Sequence, residues 1–308
     1  MARNSSSDSG GFFFKTGLFA LLAAISFWIF NRADGHKAEA DKTSDVRIEI
    51  PDSLSEKPVH TKSAAAASTV PDEILPASAD AIVRHQYFVL NYSEDDEQAQ
   101  WVAYVLTREH LNENWADRPN SFRPDPEVHT ESATPRDYSS SGYDKGHLCP
   151  AADMAFDATA IDETFFMSNM SPQVPAFNVG IWRELEELTR DWARRFKRLY
   201  VVTGPVLTRP GLGQIGFSKV TVPSAFYKVL LAPDSEKAIA FILPNAVSDR
   251  PVLDFACNID RVEKETGIDF FPKLLKGMDE ELEGSLDLEA WPINKQRYEK
   301  RITTWNRR

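Results

Sequence analysis

The chain has 308 residues, 42% of them hydrophobic, and a formal net charge of −11 at pH 7. That length holds one large domain with appendages or two average ones, with apolar residues enough for a sizeable core. The acidic balance excludes a broad basic face gripping nucleic acid by charge alone, though not an enzyme with a small cationic cleft and a metal ion.

Residues Met1 to Gly11 are small, polar and rich in Ser and Gly, the composition of a disordered terminus. From Phe12 to Phe30 the chain is apolar apart from Lys15, Thr16 and Ser26. Its uninterrupted part is shorter than a standard span, and Phe12 to Phe14 extend it if the Lys15 ammonium snorkels to the interface. Trp28 and the neighbouring Phe residues suit that interface, so 12–30 reads as a signal anchor, with a cleaved signal peptide as the alternative. The globular part is then membrane-anchored and extracytoplasmic, or secreted or periplasmic after cleavage. Residues 31–79 mix charges, Ser and Pro with poor periodicity and read as a flexible linker, leaving 80–308 as the folded domain.

His85 to Tyr92 and Gln100 to Thr107 predict two strands joined by the acidic turn Ser93 to Glu97. Asn114 to Pro135 is too polar for a core and reads as a long ordered loop of the kind that lines sites. Its Arg118 and Arg123, with Arg136 just beyond, offer phosphate contacts, although a solvated charge is the commoner fate of any one of them.

Asp144-Lys145-Gly146-His147 follows. The imidazole is the side chain suited to take a proton near neutral pH. Gly146 permits close approach or an unusual dihedral, and Lys145 brings a positive charge. A lone histidine is more often a core or surface residue, so the weight falls on its neighbours and on a second cluster downstream. Ala158 to Met167 predicts a short helix that runs into Ser168 to Gln173. From Gly180 to Arg198, Ile181, Leu185, Leu188, Trp192 and Phe196 recur at helical spacing and predict a helix with one core face. A second ridge with a step of four, Asn178, Trp182, Glu186 and Arg190, sets an amide, a carboxylate and a guanidinium along one flank. Taken singly, Glu186 and Arg190 are an i,i+4 pair, and Asn178 is a cap.

Leu199 to Pro205 predicts a buried strand, and Ser224 to Leu231 with Lys237 to Leu243 a hairpin around Pro233-Asp234. Leu253 to Gly267 predicts a helix stopped by its glycine. The tail from Lys276 carries Trp291 and Trp305 and receives no role. Cys149 and Cys257 are too few for a disulfide scaffold and lack zinc-finger spacing. They could pair in an exported protein; otherwise Cys149 is a small buried hydrophobe.

Asp144 to His147, Ser168 to Gln173, and Asn178 with Trp182 and Glu186 together resemble the DNA/RNA non-specific endonucleases, over about Tyr87 to Pro272. The resemblance implies an α+β fold of the ββα-metal type, a central antiparallel sheet flanked by helices, in which a β-hairpin presents the histidine and a helix the metal ligand. It implies a sugar-non-specific endonuclease that hydrolyses phosphodiester bonds in DNA and RNA with magnesium, manganese being the alternative ion. His147 would be the general base toward water and Asn178 the single direct protein ligand of the ion. Glu186 would hold one of the ion's waters, and Asn169 would support the catalytic site by hydrogen bonding. Lys145 stands where the family often has arginine and keeps the charge without the two-pronged grip; with Arg118 and Arg190 it is expected on phosphate. Magnesium takes oxygen ligands and keeps several waters, so an amide oxygen and a water-bridged carboxylate suit it. These residues address phosphate and water rather than base edges, so little base recognition is expected. The alternative is a non-catalytic, membrane-tethered nucleic-acid-binding module of the same fold, and a third reading is a phosphodiesterase with another substrate.

Overall fold

The computed structural model describes residues 67–77, 81–113, 115–275 and 279–307. The expected terminus 1–11, the apolar segment 12–30 and the linker up to residue 66 lie outside the described residues. The end of the expected linker is not linker. Val70 and Ile74, 5% and 0% exposed, pack beneath the main sheet around the short 3-10 turn Asp72–Ile74, so the packed domain starts before residue 80.

Strand β1 (Ile82–Arg84), β2 (Phe88–Ser93) and β3 (Gln98–Thr107) form a meander. Thr107 ends it and caps helix α1 (Arg108–Asn112) by accepting from the His110 amide. After a long loop come β4 (Asp144–His147), helix α2 (Ala158–Glu163) and β5 (Met170–Gln173). Asp157 caps α2 at the Thr159 and Ala160 amides. The helical turn Pro175–Phe177 and the π-turn Asn178–Trp182 lead into α3 (Arg183–Phe196). Next are β6 (Arg198–Pro205), the small pair β7 (Gly213–Ile215) and β8 (Val220–Val222), then β9 (Ala225–Ala232) and β10 (Lys237–Pro244). The chain closes with β11 (Ala256–Cys257), α4 (Ile259–Thr266), α5 (Asp279–Gly284) and α6 (Lys295–Thr303).

The main sheet runs β1-β2-β3-β6-β9-β10-β11, antiparallel throughout. Both of its faces are covered, which is why its strands read as near-continuous apolar runs. Val102, Tyr104 and Leu106 of β3 face α3 and its Leu185, Leu188 and Trp192. Trp101 and Ala103 face the other way, toward Val70, Ile74 and Ile259 and Val262 of α4. This α+β architecture, an antiparallel sheet between helices, is the expected one.

Three local readings change. Leu253 to Gly267 is not one helix: Val252–Phe255 is a 3-10 turn, β11 pairs with β10, and Asn258 starts α4 by accepting from the Arg261 amide. The glycine stop holds, with Gly267 at φ +73°. Cys149 and Cys257 are both free thiols, the first fully buried as a small hydrophobe. The tail belongs to the core: Trp291 stands edge-on to Trp192 with ring centroids 5.2 Å apart, and buried Arg301 pairs with Glu184 of α3.

Candidate active site

Strands β4 and β5 pair antiparallel, matching Gly146 with Ser171 and His147 with Met170. They are not a tight hairpin, because α2 lies in their connection. Gly146 is needed for a close approach: a Cβ there would stand 2.1 Å from the Gln173 side chain. Asn169 fixes the turn just after His147. Its Oδ1 accepts from the Cys149 amide at 2.8 Å, and its Nδ2 donates to the Cys149 and Thr164 carbonyls at 2.9 Å each. It is fully buried and does not reach the cleft, so it positions the histidine strand rather than touching reacting atoms.

A cleft of about 470 Å³ opens where β4 meets the start of α3. His147, Lys145, Asn178, Glu186, Arg118 and Arg190 all line it, with Pro150 to Ala152 as one wall. The His147 ring stands edge-on to Phe165 at 5.1 Å, and its Nε2 is buried without a hydrogen-bond partner. Burial, and then the Arg118 charge, push its pKa down to about 3, so the ring is neutral at neutral pH, with Nε2 open. Burial pushes Glu186 the other way, up to about 7, against the cations Arg190, Lys228 and Arg118.

The Asn178 side chain is not an N-cap: the residue closes the turn Pro175–Phe177 as its C-cap and continues into the π-turn. Its Nδ2 donates to Asp144 Oδ2 at 2.9 Å. A carboxylate accepts hydrogen bonds, so the NH₂ faces Asp144 and the amide oxygen is left for the cleft. The π-turn explains why the step-of-four ridge divides. Its wide turn, kinked at Gly180, sends Trp182 into the core against Phe177 and Phe226, while Asn178, Glu186 and Arg190 stay on the cleft. Such turns recur at functional sites.

Arg190 pairs with Asp153 at 2.8 Å rather than with Glu186, and Asp153 also accepts from the Tyr104 hydroxyl at 2.9 Å. Of the three loop arginines only Arg118 lines the cleft, its guanidinium over Phe165. Arg123 is held by Asp162 at 2.6 Å and lies over Phe166, and Arg136 is exposed away from the cleft. Lys145 Nζ sits 4.9 Å from the Phe122 ring centroid.

Sequence reasoning gave no role to Asp144, Asp153 or Lys228. Asp144 stands within the motif itself and could have been flagged. Lys228 is a cation inside the apolar run of β9, fully buried, its Nζ unpartnered 4.9 Å from the Trp182 ring centroid. Asp153 carries no local signal. Toward a metal the cleft offers oxygens at the Asn178 amide, Glu186 and Glu187, beside the one imidazole nitrogen of His147; the oxygens suit a hard, hydrated divalent ion. Among the described residues, Asp260, Glu263 and Glu283 form a separate acidic group on α4 and α5.

The model of a family described as DNA/RNA non-specific endonuclease matches residues 67–277. Nuclease C1 of Cunninghamella echinulata var. echinulata is 38% identical over 217 residues, covering 65% of this chain and 86% of that protein. Human mitochondrial endonuclease G is 36% identical over 216 residues, covering 65% and 72%. A chain in the crystal structure of the EndoG/EndoGI complex superposes with a TM-score of 0.60 at 31% identity, covering 65% of this chain and 89% of that one. The chain therefore belongs to the DNA/RNA non-specific endonucleases, a family of metal-dependent nucleases, and is an enzyme that acts on nucleic acid.

Proposed function

We propose that the enzyme hydrolyses phosphodiester bonds within both DNA and RNA, with His147 as the general base and Asn178 as the direct ligand of a magnesium or manganese ion. The observation that carries this reading is the shared cleft: a neutral imidazole and an amide oxygen turned away from Asp144 open onto the same space.

In this mechanism Arg118 and Lys145 bind the non-bridging oxygens of the scissile phosphate, and Arg190 adds its charge while Asp153 holds it in place. His147 takes a proton from a water as that water's oxygen attacks phosphorus in line with the departing oxygen. Asp144 holds the Asn178 amide with its oxygen toward the cleft, where it would ligate the ion, and Glu186 would hold a water of that ion. The bound ion supplies positive charge to the phosphoryl and leaving oxygens. None of these groups reads a base edge, so sequence preference is weak. Asn169 keeps a positioning role one turn away.

No described helix is long and apolar enough to cross a membrane, and membrane attachment forms no part of this proposal. Relatives named as mitochondrial support placement in an organelle.

The test is cleavage of supercoiled plasmid and of RNA with magnesium, with manganese and with EDTA. His147→Ala should lower the rate by at least about a hundredfold, the usual contribution of a general base, while retaining strand binding. Asn178→Ala should raise the metal concentration needed for half-maximal activity while leaving the melting temperature nearly unchanged. Unchanged turnover in either variant would remove its residue from the mechanism.

A further inference from the structure

In the proposed mechanism the cleft residues address phosphate and water, and none of them takes the base of a bound strand. We propose that Trp115, three residues before the cleft arginine Arg118, is a stacking platform for a nucleobase that flanks the scissile phosphate. This rests on the nuclease reading of the cleft and adds a subsite to it.

Trp115 is 65% exposed, whereas Trp101, Trp182, Trp192, Trp291 and Trp305 are all at most 3% exposed. The backbone that carries the indole is tied to the cleft wall and to Arg118. The amides of Trp115 and Ala116 both donate to the Ala155 carbonyl, at 3.1 and 2.9 Å. Ala155 lies just past the 3-10 turn Ala151–Asp153, whose first two residues form the cleft wall. Three residues after Trp115, Arg118 enters the same cleft. At about 3.8 Å per residue the two Cα atoms are within about 11 Å. A strand advancing about 3.4 Å per nucleotide covers that distance in one to three nucleotides.

An exposed indole presents a flat apolar face that gains by being covered. Bases stack on such a face whatever their identity, and a neighbouring cation holds the backbone, the combination used for single strands. Here Arg118 is that cation. Its chain neighbours Asn112, Glu113 and Asp117 are polar and exposed. A single ring in polar surroundings is too little apolar area for a stable contact between copies of the chain, but it is what one base needs. Because a base must leave its own stack to reach Trp115, the subsite favours single strands and locally opened duplex.

The experiment measures Kd by fluorescence anisotropy in EDTA, so that the strand is not cut. Wild type, Trp115→Ala and Trp115→Phe are each titrated with a labelled single-stranded oligonucleotide and with an abasic strand of the same length. Trp115→Ala should weaken binding of the normal strand about tenfold and leave the abasic strand alone, and Trp115→Phe should keep most of the affinity. Equal weakening on both strands would mean that the loop has lost its shape, and no weakening on either that the ring is idle; each overturns the proposal. So does a change in sedimentation of Trp115→Ala with strand binding intact, which would make the ring a contact between copies. Wild type that binds the normal strand but does not cut it with magnesium would sink the nuclease reading and leave the subsite standing. Binding of neither strand would end both.

Discussion

Arg118 and His147 act on each other before a substrate arrives. Burial and then the arginine charge disfavour the imidazolium, so the ring stays a base into acid solution. Arg118→Ala removes one of the two causes and must raise the His147 pKa toward its ordinary value. The protonated, inactive fraction at a given pH then grows, and the acid limb of kcat/KM moves to higher pH; a pH–rate profile and a ring-proton NMR titration of the metal-free protein check this. An unmoved titration would mean that burial alone sets the ring. Glu186 is the opposite case. Burial lifts its pKa from an ordinary 4.5 to about 7, so the folded chain binds the proton more tightly than the unfolded one, and stability falls as pH rises between those values. Glu186→Gln should therefore stabilise the metal-free protein by about 1–3 kcal/mol at pH 8, read by urea denaturation, while activity with magnesium drops. A variant no more stable than wild type at pH 8 would show that the carboxylate is solvated in the folded protein.

At the scale of single elements, the turn after β4 depends on Asn169. Three buried hydrogen bonds at about 1 kcal/mol each make Asn169→Ala cost about 3 kcal/mol. Activity should fall further than that, because Cys149 and so His147 lose their fixed place. Asn169→Asp keeps the acceptor for the Cys149 amide but sets a buried carboxylate oxygen against the Cys149 and Thr164 carbonyls, so it should cost at least as much as Asn169→Ala; chemical denaturation and turnover at 25 °C separate the loss of stability from the loss of activity. How legible each element was follows from where its determinants lie. Helix α3 was plain in the sequence because its buried face repeats within one segment: Leu185, Leu188 and Trp192 meet the sheet. The Asn178 and His147 motifs were plain because their chemistry is carried by residue type. The π-turn was not, because a Cβ at Gly180 would stand 2.6 Å from Asn306 Oδ1, a residue at the far end of the chain. The ion pair of Arg190 with Asp153 was hidden because Asp153 reaches it across the fold, whereas Glu186 lies one helical turn away. Strand β11 was hidden by its length, two residues with no room for a period.

For the whole molecule, the family match and the fold end in different places. The match stops at residue 277, yet Trp291 is fully buried against Trp192, and Arg301 is the partner of the buried Glu184. Arg301 also donates to the Arg250 carbonyl, tying the last helix to the loop after β10. A chain ending at Gly277 would leave the Glu184 charge buried without its partner, at about 3–5 kcal/mol, and would uncover Trp192. For a domain of this size each kcal/mol is about 2–4 °C of Tm, so the truncated protein should melt about 6–20 °C lower by calorimetry. The loss should reach the chemistry as well. Asn306 fills the space beside Gly180 and donates to the Asp249 carboxylate and the Ser248 carbonyl. Without it the π-turn that carries Asn178 is free to relax toward a regular helix. At a temperature where the truncated chain is still folded, it should need more magnesium for half-maximal cleavage than the full chain does. Equal melting temperatures would make the tail an appendage. A lower Tm with an unchanged magnesium requirement would confine its role to the core and leave the Asn178 side of the cleft independent of it.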